Sequence, residues 1–437
     1  MELTINPMKN GLKGEVTAPS SKSYSHRAFI AASLADGISI IKKPLISGDI
    51  KVTMDILKSL GVKILEIGEK SYLVEKPYKR FIPAKEALDC KNSGTSMRIF
   101  TALSLIIDKG LLLKGEFLRR ERPLLPLLNA LTQLGGKYNL TSQHVSIRRT
   151  KEVCKNIKIP ANISSQFLTA LMFLCPILKC KRKNYIDIEL STPIVSYPYI
   201  RITIDVLNSF GINVQENKEK NKFTIILGQK YRAQLYRVYG DFSSVSFIIA
   251  ASILSEKPSK VIINNLNFHD SQGDKRIIEI LQEMGANIKV DITKNQIIIN
   301  SNLTEFPLKG LEIDCKEIPD LFPILAVIGA FAEGKTTLYN ISRIRLKESD
   351  RVFIISRELR KMGIHLEEKE DKCIVYHCDN LKGSIIEHEG DHRIAMASII
   401  AGLYCNSPSR INNIEIIEDS YPNFLHDLNK LGAKLEY

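Results

Sequence analysis

The chain has 437 residues, 44% of them apolar and 25% charged, with a formal net charge of +13. It is too long for one ordinary hydrophobic core, so two or more domains are expected. Its longest apolar run, residues 321–332, is too short to span a bilayer, and the charged segment 1–22 lacks the apolar stretch of a signal peptide.

The eight cysteines are scattered through mostly apolar surroundings. Cys373 and Cys378 are separated by an odd number of positions in an expected strand, so they fall on opposite faces and do not share a metal. A chain of this size folds without a disulfide framework. The expectation is a reducing, cytoplasmic compartment with no metal and no cofactor.

Taken in chain order, helices rich in small and apolar residues are expected at 23–35, 93–107, 164–177, 243–254, 319–330 and 392–403. Each is followed by a variable turn and a β-rich run, as at 37–41, 261–265 and 336–339. A second, amphipathic helix follows in each case and ends at Gly61, Gly135, Gly211, Gly285, Gly363 or Gly432. The residue before each glycine is Leu60, Leu134, Phe210, Met284, Met362 or Leu431, and a leucine stands three positions further back each time. The fifth copy shows the pattern best: Val352, Ile355, Leu359 and Met362 recur at helical spacing before Gly363, and residues 364–367 read as a strand.

The glycines are 74, 76, 74, 78 and 69 residues apart, which marks six copies of one unit: strand, buried helix, strand, amphipathic helix and two strands. One such copy buries too little apolar surface to stand alone. Helices this apolar need covering on most sides, so the favoured architecture is α/β, two groups of three copies with the apolar helices inside and the sheets outside. The middle boundary is expected near residues 232–240, where Gly240-Asp241-Phe242-Ser243-Ser244 supplies a turn and a helix cap. A cleft between the two domains is the expected binding site.

Polar residues gather at the starts of the apolar helices. Lys22, Ser23 and Arg27 open the first, where free backbone N–H groups also favour anions. Asn92-Ser93-Gly94-Thr95 opens the second with a turn that lets a phosphate approach closely. Arg119-Arg120-Glu121-Arg122-Pro123 leads a charged loop into a helix. Ser164-Ser165-Gln166 puts three hydrogen-bonding side chains where one would suffice as a cap, and Ser196-Tyr197-Pro198-Tyr199 offers aromatic walls.

The last group is the most chemical. Asp320 is expected on the first turn of an apolar helix, Lys347, Glu348, Asp350 and Arg351 follow, and Asp391-His392-Arg393 opens the sixth inner helix. Two carboxylates, Asp320 and Glu348, among Lys22, Arg122, Lys347, Arg351 and Arg393 are suited to moving protons between phosphorylated substrates held by cations.

These motifs resemble those of the 5-enolpyruvylshikimate-3-phosphate synthases, and the resemblance covers essentially the whole chain. It rests on Ser21-Lys22-Ser23 with Arg27, Asn92-Ser93-Gly94-Thr95 with Arg98, Glu121-Arg122-Pro123, Ser164-Ser165-Gln166, Ile318-Pro319-Asp320, Lys347-Glu348 with Asp350-Arg351, and Asp391-His392-Arg393. It implies a two-domain inside-out barrel of six βαβαββ units, three per domain, that closes over its substrates. Residues 1–18 would join 238–437 in the domain carrying the proton-transfer carboxylates, and 19–237 would form the domain with most shikimate 3-phosphate contacts.

The implied reaction moves the enolpyruvyl group of phosphoenolpyruvate to the 5-hydroxyl of shikimate 3-phosphate and releases phosphate. By the same resemblance, Lys22, Ser23, Arg27, Ser164, Ser165, Gln166, Ser196, Tyr199, Asp320, Arg343 and Lys347 would contact shikimate 3-phosphate. Lys22, Asn92, Gly94, Arg122, Gln166, Arg351, His392 and Arg393 would hold phosphoenolpyruvate. Asp320 and Glu348 would exchange protons with Lys22 assisting, and the protein would act as a monomer on these small molecules, without nucleic acid or membrane.

Two positions depart from the family pattern. Asp419 stands where members commonly carry a lysine before a Ser/Thr-aromatic-Pro segment, here Ser420-Tyr421-Pro422, and an anion there disfavours a bound phosphate. Arg343 stands where members often have Asn, and it is a candidate replacement cation. Two rival readings remain. One is enolpyruvyl transfer to UDP-N-acetylglucosamine, whose enzymes usually carry a reactive Cys in a mobile loop, whereas residues 111–123 contain none. The other is a non-catalytic basic repeat protein that binds nucleic acid, to which dispersed charge without interleaved exposed aromatics gives little support.

Overall fold

The computed structural model describes residues 2–78, 80–181 and 183–436. These residues divide into two compact units, one formed by residues 1–21 with 239–437 and the other by residues 22–238. The chain is an inside-out α/β barrel protein of six βαβαββ units, as the family resemblance implies.

In the unit spanning 22–238 the inner helices are Lys22–Leu34, Gly94–Leu103 and Ser165–Leu174, the latter two each extended by a short 3₁₀ turn. In the other unit they are Phe242–Ile253, Phe322–Phe331 and His392–Gly402. Every residue of Phe242–Ile253 and of His392–Gly402 is buried, so these helices have no solvent face and carry almost no charge. Each unit has its own apolar core, and none of the core residues of one belongs to the other.

Among the described residues six four-stranded sheets cover these helices, three in each unit. Each sheet combines one parallel ladder with two antiparallel ones. In one, Ser259–Asn264 runs parallel to Lys13–Thr17, pairing Ile262 with Glu15, and antiparallel to Gln296–Ser301, pairing Ile262 with Ile298. This register turns Val16, Val261, Ile263, Ile297 and Ile299 toward the helices and leaves alternate positions outside. Some strands come from distant sequence: Leu235–Arg237 runs parallel to Ile38–Lys42 at a sheet edge, and Glu2–Ile5 lies antiparallel between Ser409–Asn412 and Leu435–Glu436.

The outer helices stop where the repeat places its glycines. All six, Gly61, Gly135, Gly211, Gly285, Gly363 and Gly432, have φ between 80° and 117°, a left-handed conformation that costs any residue with a Cβ. The shared leucines and the residue before each glycine are buried beneath, from Leu57 and Leu60 to Leu428 and Leu431.

Three sequence expectations are corrected. Cys154 and Cys180 form a disulfide, with Cα atoms 6.3 Å apart, because the flanks of the third inner helix meet there across 26 residues of chain. The strand containing Cys373 ends at Tyr376, so Cys378 lies beyond it. Asp320 is not on the helix: Ile318 to Leu321 folds as a turn closed by the Leu321 N–H on the Ile318 carbonyl, and the helix starts at Phe322.

Candidate functional site

In the unit 22–238 the inner helices begin beside one another, and their first turns are tied together by side chains. The buried Arg27 guanidinium donates to the Thr203 hydroxyl at 2.9 Å, to the Ser23 carbonyl at 2.9 Å, to Thr169 at 3.3 Å and to the Tyr199 carbonyl at 3.4 Å. Burial lowers its pKa to about 10, opposed by nearby tyrosines, so it keeps its charge at neutral pH. Lys22, the first residue of its helix, is held 2.6 Å from Asp49.

A second cluster lies at the start of Gly94–Leu103. Arg122 donates to the Asn92 carbonyl at 2.6 Å and to its side-chain oxygen at 3.2 Å. Arg98 donates to the Pro123 carbonyl at 2.8 Å and to the Gln166 side-chain oxygen, while Gln166 donates to Thr95 at 3.2 Å. Both arginines also lie over the Phe117 ring, 4.9 and 5.0 Å from its centroid.

Gly94 sits among them. A Cβ there would come within 3.0 Å of Arg122 Nη2 and Arg98 Nη1 and 3.2 Å of Gln166 Oε1. Two guanidinium groups thus converge on the N-terminus of a helix, a setting that favours an anion.

Ser164 caps the helix Ser165–Leu174 by accepting from the Gln166 N–H, and Ser165 is buried on its first turn. Ser196 precedes Tyr197–Ser209 in a left-handed conformation with φ 53° and makes no capping bond. Its neighbour Tyr199 reaches the cluster through the carbonyl that accepts from Arg27. A buried chain of hydroxyls, His26–Thr53–Ser96–Ser93, with links of 2.8, 2.8 and 2.9 Å, ties the first inner helix to the cap of the second.

The unit 1–21 with 239–437 carries a different constellation, centred on the buried Arg351. Its Nε donates to Asp391 at 2.7 Å, its Nη1 to Asp320 at 2.8 Å and its Nη2 to Glu348 at 2.7 Å. Burial alone would lower its pKa, but Asp391, Glu348 and Asp320 together outweigh that and hold it above the ordinary value. Asp391 is fully buried and burial pulls its pKa up, yet the Arg351 charge holds it below the ordinary range. It also caps His392–Gly402 by accepting from the Arg393 N–H, and it accepts from Ser349.

Asp320 is the meeting point of the cations. Besides Arg351 it faces Arg393 at 3.2 Å and Lys347 at 3.4 Å. Loss of hydration lowers the Lys347 pKa against the pull of Asp320, and Arg351 and Arg343 lower it further. Arg343 therefore belongs to this electrostatic neighbourhood, from the 3₁₀ segment Ser342–Leu346. His392 is buried beside Asp391, whose pKa its proximity lowers. Asp419 ends the segment Ile414–Asp419, half-buried.

The expected site residues thus fall into two sets. Lys22, Ser23, Arg27, Asn92, Gly94, Arg122, Ser164, Ser165, Gln166, Ser196 and Tyr199 belong to one unit, and Asp320, Arg343, Lys347, Glu348, Arg351, His392 and Arg393 to the other. Sequence reasoning left Arg98 out of the ligand set although it shares Gln166 with the cluster. It also passed over Asp391, read only as part of a motif. Among the described residues no group of His, Cys, Asp and Glu could hold a metal ion. Among the described residues no helix is long and apolar enough to cross a membrane.

Residues 7–428 match the family model for EPSP synthase (3-phosphoshikimate 1-carboxyvinyltransferase). A 3-phosphoshikimate 1-carboxyvinyltransferase from Methanocaldococcus jannaschii is 42% identical over 442 residues, covering 100% of both chains. One from Clostridium novyi is 36% identical over 99% of this chain and 98% of its own. Among solved structures, an EPSP synthase from Acinetobacter baumannii superposes with a TM-score of 0.82 at 25% identity, covering 100% of this chain and 99% of that one.

Proposed function

The chain belongs to the EPSP synthase family, and on that premise we propose that it transfers the enolpyruvyl group of phosphoenolpyruvate to the 5-hydroxyl of shikimate 3-phosphate, releasing phosphate. The observation that carries the reading is the three-way grip of Arg351, which orients Asp320 and Glu348 on separate nitrogens while three more cations, Lys347, Arg393 and Arg343, stand close by.

In this reading the anionic ends of the substrates are held by cations at helix starts. Shikimate 3-phosphate is bound by Lys22, Ser23, Arg27, Ser164, Ser165, Gln166, Ser196, Tyr199, Asp320, Arg343 and Lys347. Phosphoenolpyruvate is bound by Lys22, Asn92, Gly94, Arg122, Gln166, Arg351, His392 and Arg393. The unit of residues 22–238 supplies most shikimate 3-phosphate contacts, and the other unit supplies the proton-transfer carboxylates.

The chemistry is addition followed by elimination. Asp320 accepts the proton of the 5-hydroxyl as its oxygen bonds to the central carbon of phosphoenolpyruvate, whose methylene becomes a methyl group by gaining a proton. In the second step the methyl group loses a proton, the carbon–oxygen bond to phosphate breaks, and the enol ether forms. Glu348 is the group through which that carbon gains and loses its proton, with Lys22 assisting. Over the cycle the hydroxyl proton ends on the released phosphate. The cations offset the charge that develops on the departing phosphate.

We place the protein in the cytoplasm as a monomer acting on small phosphorylated molecules. The test is phosphate release from phosphoenolpyruvate, offered in parallel with shikimate 3-phosphate and with UDP-N-acetylglucosamine. Release with the former alone is expected. Release with the latter would overturn the substrate assignment, and silence with both from folded protein would overturn the activity.

A further inference from the structure

A basic pocket in the unit 22–238 shares no residue with the substrate contacts proposed above. Its volume is about 680 Å³, within the range of small-molecule sites. Three separate stretches of the second and third repeats line it, at residues 105–109, 149–152 and 179–181. Leu105 and Ile107 are buried and give it an apolar base. Around them stand five cations, Lys109, Arg149, Lys151, Lys179 and Lys181, against two carboxylates, Asp108 and Glu152.

The protein does little to cancel this excess. Asp108 pairs with Arg80 at 3.3 Å, and Glu152 accepts from the Lys181 backbone N–H at 3.0 Å. Among the described residues none of the four lysines makes an ion pair. Arg149 is half-buried and held by neutral partners. Its guanidinium donates to the Leu134 carbonyl at 3.2 Å, the Val153 carbonyl at 3.3 Å and Cys154 Sγ at 3.5 Å. Burial lowers its pKa, opposed by nearby Glu152, and a guanidinium stays charged throughout.

The walls are fixed by contacts of the chain itself. Thr150 donates its N–H and its hydroxyl to the Gly135 carbonyl, at 2.9 and 3.2 Å. The Cys154–Cys180 disulfide and the Lys181–Glu152 hydrogen bond then tie the stretch after Arg149 to the stretch carrying Lys179 and Lys181. Folding thus gathers like charges and holds them together, which is unfavourable until a counter-charge arrives. A cavity ordered beforehand also loses little freedom on binding.

We propose that this pocket binds a small anion of the diphosphate type. Cations drawn from three stretches suit a ligand with at least two anionic groups. The described lining has no aromatic side chain on which a base could stack, so recognition rests on the phosphates. None of these residues takes part in the transfer reaction proposed above, and occupancy of the pocket is independent of it.

Cys180 lines the pocket, so occupancy can be read at its sulfur. The experiment follows the reduction of Cys154–Cys180 by dithiothreitol in the intact protein, with the freed thiols alkylated and located by mass spectrometry. It is run with pyrophosphate, with ADP and with KCl at matched ionic strength, and read as the ratio of rates with and without the anion. A bound diphosphate covers the sulfur and offsets the positive potential that draws the attacking thiolate. Pyrophosphate below about 1 mM should therefore slow reduction saturably, about fivefold or more beyond KCl. ADP carries the same group on a larger molecule: slowing by either anion supports the site, and the one acting at lower concentration identifies the source. Arg149→Met should remove the protection. Lys179 and Lys181 are exposed, so Lys179→Glu with Lys181→Glu should do the same in a protein whose melting is unchanged, and this pair decides the matter if Arg149→Met fails to fold. Slowing no greater than that of KCl, or slowing that survives the double charge reversal, would overturn the proposal.

Discussion

The two units use one βαβαββ plan and bury arginines at the starts of their helices, but they face them with different groups. In the unit 22–238, Arg27, Arg98 and Arg122 are oriented by carbonyls, hydroxyls and a glutamine side chain. Neutral acceptors such as these fix a guanidinium without cancelling its charge. In the other unit Arg351 is matched by three carboxylates, and Asp320 in turn by Lys347 and Arg393. Charge there is nearly balanced, and what remains is a set of groups that can exchange protons. On the roles proposed above, the same scaffold serves as an anion cradle or an acid–base centre according to what faces the arginine.

The comparison is tested most severely by removing one arginine from each unit. Arg351→Ala leaves the fully buried Asp391 without its main cation and releases Asp320 and Glu348. Stranding buried charge in this way costs about 3–5 kcal/mol, and turnover should vanish with it. Arg98→Met strands a carbonyl and a glutamine oxygen, both neutral acceptors, for about 1–3 kcal/mol. Urea unfolding at constant slope measures both. Equal losses would break the distinction between charge-matched and neutral-partnered arginines.

A smaller effect is expected at Gly94. Alanine would press its Cβ on the ends of Arg122, Arg98 and Gln166 at 3.0–3.2 Å, and these flexible groups can yield by a few tenths of an ångström. Stability should hold, since alanine favours a helix over glycine by up to about 1 kcal/mol. The displaced guanidinium groups should instead raise the KM for phosphoenolpyruvate about tenfold, equivalent to about 1.4 kcal/mol. A fall in unfolding midpoint with unchanged KM would mean that the glycine serves packing and not the cradle.

Much of this contrast was written in local pattern, and some was not. The repeat was legible because a left-handed helix end requires glycine and an amphipathic helix requires a buried leucine one turn earlier, and both signals recur at a fixed period. The cation-bearing helix starts were legible for the same reason, since capping residues and basic side chains fall within a few positions of each other. The grip of Arg351 on Asp391, 40 residues away, is set by how two helix starts pack, and nothing local announces it. The disulfide between Cys154 and Cys180 has the same character: its partners flank a helix and share no spacing rule. The fifth apolar helix was expected from Pro319, which put Asp320 on its first turn, but Pro319 sits in the turn before the helix and Pro323 fills the early helical position.

The finest test concerns Arg343 and Asp419, the two departures from the family pattern, both in the acid–base unit. Asp419 brings a negative charge to a position where relatives commonly carry a lysine, while Arg343 brings a positive one where they often carry Asn. Arg343 lowers the pKa of Lys347, so it contributes positive potential at the point where Lys347 meets Asp320. If the unit keeps its balance by moving a cation from one loop to another, Arg343→Asn should raise the KM for phosphoenolpyruvate or shikimate 3-phosphate several-fold. That is about 1 kcal/mol of binding, and kcat should change less. Pairing it with Asp419→Lys should recover most of the loss, because the cation returns by the other loop. Unchanged kinetics in the single variant would show that Arg343 faces no substrate charge, and that this unit tolerates Asp419 without compensation.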